Sequence, residues 1–186
     1  MPRQVHEFDP PDRFVAGTVG APGERTFYLQ ATGAGRLVSA ALEKVQVSAL
    51  AERVDQILDE VRRREGADSD VPVTVPAEAE DLAPLDTPLL EDFRVGTIGL
   101  AWEPETRQIV IEAQAVSESG EAADLVEDDA TEGPDLLRVR LSPMAARAFA
   151  KRASSLVAAG RPTCQLCGLP MDPAGHVCPR QNGHRG

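Results

Sequence analysis

The chain has 186 residues, 42% of them apolar, and a net charge of −11, which suits one domain of ordinary size or one domain with a small appendage. No run approaches the ~18 apolar residues of a membrane span, and the start, Met1 to Pro11, has no apolar stretch of signal-peptide type. A cytosolic location is therefore expected, where clustered cysteines bind metal more often than they form disulfides.

The average charge hides an uneven layout. Residues 65–92 and 118–135 carry 17 of the 30 acids and no Lys or Arg, and the other 140 residues hold 13 acids against 19 bases. From Leu136 to the end there are 8 bases and one acid, Asp172. The pattern is a slightly basic body with two acidic excursions.

In chain order, residues 1–12 form a polar, Pro-containing N-terminal lead-in. Arg13 to Val19 reads as a strand ending at the turn Gly20-Ala-Pro-Gly23. Arg25 to Thr32, with β-branched and aromatic residues and an alternating pattern, reads as the next strand, and Arg36 to Val47 follows the turn at Gly33-Ala-Gly35 as the third. Ser48 is the expected cap of a helix running to Glu65, with Glu52 one position late for a capping box. Leu50, Val54, Ile57, Leu58 and Val61 share one face of that helix, and Arg62, Arg63 and Arg64 suit its negative end. Residues 13–65 thus make a first strand-strand-strand-helix unit. Residues 66–91, acidic and broken by Pro72, Pro76, Pro84 and Pro88, read as a linker.

The pattern then restarts over residues 92–159. Phe93-Arg-Val-Gly-Thr-Ile-Gly99 echoes Phe14-Val-Ala-Gly-Thr-Val-Gly20, and Arg107 to Ala113 echoes Arg25 to Ala31. Leu136 to Leu141 gives a sixth strand, and Ser142-Pro143 opens a helix with Pro at its first position. An acidic insertion at 118–134 accounts for the longer spacing in this half. The expected fold is α+β: two pseudo-duplicated strand-strand-strand-helix units forming a largely antiparallel sheet body, with a small C-terminal zinc-knuckle module at 160–186. Whether the strands share one sheet, two sheets or a barrel-like sandwich stays open at this point.

All three cysteines lie in the tail. Cys164-x-x-Cys167-Gly lets two thiolates reach one ion, with glycine permitting the tight turn, and Cys178 supplies a third sulfur. The fourth ligand is either His176 or His184. Four protein ligands would close the site, making Zn2+ structural; a catalytic zinc would need an open position.

Arg138, Arg140, Arg147, Lys151, Arg152, Arg161, Arg180 and Arg185 form a basic C-terminal stretch that can meet nucleic acid or another phosphate ligand. The tail has no stacking aromatic, and the preferred reading is a solvated face or one that docks the chain's own acidic segments. Thr32-Gly-Ala-Gly35 lacks the remaining residues of a dinucleotide or phosphate loop, and no catalytic residue stands out. The reading is a zinc-stabilised cytosolic binding or adaptor protein with a protein partner. The alternatives are a nucleic-acid or phosphate binder using the basic face, and an enzyme with a cleft between the two repeats.

With the Phe-x-x-Gly-Thr strand, the helix after Ser48 and the ending Cys164-x-x-Cys167-Gly…Gly175-His176-x-Cys178-Pro-Arg-x-Asn-Gly183, the whole chain resembles an actinobacterial family of conserved proteins of unknown function. The resemblance implies His176, rather than His184, as fourth ligand. Relatives are encoded near a histidine-phosphatase-like protein and one distantly similar to lipid kinases, which implies a shared pathway or complex. No catalytic residues carry over.

Overall fold

Short runs of apolar and small residues, buried on both faces in β2, β4, β6 and β7, form seven strands: β1 (Val5–Phe8), β2 (Arg13–Val19), β3 (Thr26–Gly33), β4 (Arg36–Leu42), β5 (Phe93–Glu103), β6 (Gln108–Ala115) and β7 (Leu136–Leu141). Two helices accompany them, α1 (Lys44–Glu65) and α2 (Pro143–Ala158). The computed structural model describes residues 2–126, 130–160, 164–169, 171, 176–178 and 180. The strands form one sheet in the order β1-β7-β6-β5-β4-β3-β2. β1 with β7 and β4 with β5 are parallel, and every other neighbouring pair is antiparallel. The fold is α+β as expected, with the order strand-strand-strand-helix occurring twice. A seventh strand, β1, lies within the lead-in.

The start of α1 corrects the expected boundary. The third strand stops at Leu42, and Glu43, not Ser48, is the N-cap. Gln46 Oε1 accepts the Glu43 amide at 2.8 Å, a Glu/Gln version of the capping box. Ser48 sits inside the helix and donates to Glu52 at 3.3 Å. α2 begins as expected, with Ser142 Oγ accepting the Ala145 amide at 3.2 Å and Pro143 following the cap. Counted from these caps, the buried Val47, Leu50, Ala51 and Val54 of α1 stand at the same steps as the buried Ala146, Phe149, Ala150 and Ala153 of α2.

Both helices pack on one face of the sheet and on each other. α2 reaches back to β2, where Phe149 stacks on Phe14 with ring centroids 4.6 Å apart. α1 lies against β5. The two sheet edges, β1 and β2, are consecutive in the chain and joined only by residues 9–12, so the sheet curls until its edges are a short loop apart. Arg36 of β4 donates to the Glu7 carbonyl of β1 at 2.8 Å across that closure.

Leu85 and Asp86 of the first acidic segment and Asp124 to Val126 of the second lie over the other face of the sheet, whereas Pro72 and Glu80 of the first are held by Arg147 and Lys151 of α2. Residues 66–91 are a packed strap with 3-10 turns at Gly66–Asp68 and Ala77–Ala79. Arg13 gathers the strap by donating to Asp81 at 2.6 Å, to Asp86 at 3.0 Å and to the Ala83 and Pro84 carbonyls. Leu85 then rests on Gly17, where a Cβ would come within 2.5 Å of it. The second strap follows β6: Gln114 donates to the Asp124 carbonyl at 2.9 Å and accepts the Val126 amide at 2.8 Å. Leu125 there covers Gly99. Glycines on that face thus leave room for the straps to lie close to the sheet.

Candidate metal centre

After α2 the chain makes a tight knuckle. The Gly168 amide donates to the Cys164 carbonyl at 2.8 Å, and the Cys164 amide donates to the Leu169 carbonyl at 2.8 Å. Gly168 has φ +73°, which a side chain would disfavour. The turn aims amide N–H groups of Cys167 and Leu166 at the Cys164 sulfur, which hold its thiol down at about 6. At Cys167 the Leu169 amide pulls in the same direction, but burial and the neighbouring Cys164 and Cys178 sulfurs together push that thiol above its usual value.

The returning segment brings His176 and Cys178 over this turn. The Cys164 and Cys178 Sγ atoms lie 3.8 Å apart, and Cys167 Sγ is 3.2 Å from His176 Nε2. The ligand atoms of Cys164, Cys167, His176 and Cys178 all lie within 4.8 Å of one another, so the cluster can hold a metal ion. Cys164 and Cys178 are buried, while Cys167 and His176 are half-buried. A tetrahedral ion with Zn–S bonds of ~2.3 Å has S···S edges of ~3.8 Å, so the Cys164–Cys178 separation fits such an ion without adjustment. Arg180 donates to the Leu166 carbonyl at 3.1 Å and ties the two arms together. His184 lies outside the described residues.

The basic C-terminal stretch is consumed internally. Arg138 pairs with Glu112 at 2.6 Å, and Arg140 with Glu7 and with Glu103 at 3.7 Å. Arg147 joins Asp55 at 2.8 Å and Asp59 at 2.7 Å, Lys151 joins Glu80, and Arg152 joins Asp81 at 3.1 Å. Arg161 and Arg185 fall outside the described residues. Arginines outside that stretch shift two further carboxylates: a hydrogen bond from Arg13 holds Asp81 below the usual carboxylate range, with Arg152 adding a smaller pull, and one from Arg107 holds Glu65 at about 2.

Sequence reasoning missed a groove between α1 and β5. Its floor and walls include Ala49, Leu50, Arg53, Gly96, Ile98 and Leu100, enclosing about 400 Å3. The signal for it was the alternation Ile98, Leu100, Trp102 in a strand longer than the sheet neighbour β4 can pair. Among the described residues no helix is long and apolar enough to cross a membrane.

The model of a family described as Protein of unknown function (DUF3090) matches residues 6–178, a span that includes all of the sheet but Val5, both helices and the four clustered Cys and His residues. No curated protein and no solved structure matches the chain.

Proposed function

Because the chain belongs to that family, whose description assigns no activity, we propose a role from its own geometry: a zinc-stabilised cytosolic binding or adaptor protein. Its metal is a structural Zn2+ held by Cys164, Cys167, His176 and Cys178. The observation that carries this reading is the gathering of three sulfurs and one imidazole nitrogen within 4.8 Å. That donor set is the one structural zinc uses, and four protein ligands leave no position for water to be activated. An adaptor with a protein partner is preferred over a nucleic-acid binder because the cations from Arg138 to Arg152 are already neutralised by the chain's own carboxylates, leaving few to release phosphate counterions.

Metal analysis of the full chain, purified under reducing conditions, tests the reading. About one equivalent of zinc is expected. Less than half an equivalent, or another metal in preference to zinc under competition, would overturn it.

A further inference from the structure

We infer that the groove between α1 and β5 is a docking site for an extended acidic segment of a partner protein. The chain itself shows what such a segment looks like when seated. In the groove between α2 and β2, Arg152 donates to the Ala16 carbonyl of the strand at 2.8 Å. The same guanidinium holds the strap Asp81-Leu82-Ala83, through the Asp81 carbonyl and carboxylate and the Ala83 carbonyl at 2.8 Å. One arginine therefore reads strand, strap main chain and strap charge together.

α1 and β5 repeat that arrangement without the strap. Arg53 stands as many residues after the cap Glu43 as Arg152 does after the cap Ser142. Ala49 and Leu50 stand likewise where Ala148 and Phe149 do. On the strand, Val95 and Gly96 follow Phe93 as Ala16 and Gly17 follow Phe14, and their carbonyls are taken by Gln46 Nε2 at 3.4 Å and 3.2 Å. Arg53 itself is exposed and, among the described residues, bonds only its helix neighbour Gln56, at 3.2 Å. β5 pairs with β4 only at Phe93 and Arg94, so among the described residues no strand pairs with Val95–Glu103 on that side.

The groove's chemistry selects its occupant. Leu50, Ile98 and Leu100 give it an apolar lining, and Arg53 stands at its edge. The adjoining hollow at Trp102 adds Arg63 and Arg64, set against the single carboxylate Glu60; Asp59 there is engaged by Arg147. An extended segment with a carboxylate for Arg53 and an apolar side chain for the lining satisfies both parts; the strap supplies the precedent for the first, its Asp81 carboxylate and main chain being held by Arg152, while its Leu82 stays exposed. This deepens the adaptor reading by naming the partner's chemistry, but it does not depend on the metal, whose content is measured separately.

The test uses a synthetic peptide with the chain's residues 77–86, Ala-Glu-Ala-Glu-Asp-Leu-Ala-Pro-Leu-Asp, titrated into the full-length protein. Trp102 is the only tryptophan and adjoins Arg53, so its fluorescence reports this groove and not the one already filled. A saturable change with a midpoint on the order of 0.1–1 mM is expected. Arg53→Gln should weaken binding about tenfold or more by removing a charge-assisted contact. Should that variant lose its native circular dichroism, Ala49→Glu, which sets a carboxylate at an exposed groove position, carries the same comparison. No saturable change up to several times that concentration range, or an unchanged midpoint in the folded variant, overturns the proposal.

Discussion

Gln30 and Asp86 exchange two hydrogen bonds: Gln30 Nε2 donates to the Asp86 carbonyl at 3.1 Å, and the Asp86 amide donates to Gln30 Oε1 at 2.7 Å. A side-chain amide thereby does what a neighbouring strand's main chain would do. Gln114 treats Asp124 and Val126 in the same way on the other half of the sheet. Both glutamines are almost wholly enclosed, Gln30 at 1% exposure and Gln114 at 0%. The acidic straps are therefore part of the folded body, and their backbone polar groups are satisfied by residues chosen for that purpose.

Gln30→Leu keeps the volume and removes the exchange. It leaves the Asp86 amide without its partner and takes the donor from Ser39 Oγ, which Gln30 Nε2 reaches at 3.1 Å. The expected loss is about 2–4 kcal/mol of unfolding free energy, read from urea denaturation against an exposed control, Gln56→Leu. A change smaller than about 0.5 kcal/mol would place the strap outside the cooperative unit.

Gly17 and Leu85 form a second coupled pair. A Cβ on Gly17 would lie 2.5 Å from Leu85 carbon atoms, so Gly17→Ala must lift the strap or shift its leucine. About 1–3 kcal/mol of destabilisation is expected. In a double-mutant cycle, Leu85→Ala should return part of that loss, because the two substitutions relieve one contact. Strict additivity would show that the strap is not pressed on the strand there.

Much of this architecture was legible in the chain, and what was not has a common cause. Gly20-Ala-Pro-Gly23, the repeated Phe-x-x-Gly-Thr and Ser142-Pro143 are local signals, and the elements they delimit formed where expected. The start of α1 was misplaced because Val45 and Val47 resemble strand residues and Glu43 is an uncommon cap, rescued by Gln46. β1 was hidden because its hydrogen-bonding partner, β7, begins at Leu136. Residues 66–91 resemble a linker by composition; their order comes from Arg13, Arg147 and Arg152, which lie far away in sequence. The Cys/His cluster was legible since its spacing is local, whereas the α1–β5 groove exists only once both elements are placed.

Acid should loosen the straps before it disturbs the apolar core. The folded-state affinities of Glu65 and Asp81 for protons are depressed by Arg107 and Arg13. Their contribution is present above the ordinary carboxylate range, about pH 4–4.5, and is lost as pH falls through the folded values, near 2 for Glu65. The thermal midpoint should stay level from about pH 7 to 5 and fall steadily below about pH 4.5. Asp81→Asn should lower the midpoint at neutral pH and make the acid limb shallower. An acid limb of the same steepness in that variant would assign the loss to other carboxylates.

Metal removal separates the knuckle from the body. Among the described residues, the polar contacts of the knuckle run between its own members: Cys164 with Leu169 and Gly168, Cys167 with His176, Arg180 with Leu166. The sheet and helices carry a continuous core without it. Chelation, or Cys167→Ser, should therefore abolish zinc retention and make the tail sensitive to protease. The body's thermal midpoint should move little, by a few degrees at most, because the lost coordination energy folded only the local module. Protease should then release a fragment ending near the end of α2, with the body's circular dichroism intact. Cooperative unfolding of the whole chain on chelation would instead make the metal a staple of the sheet and helices, coupled to them through more than the knuckle's own contacts.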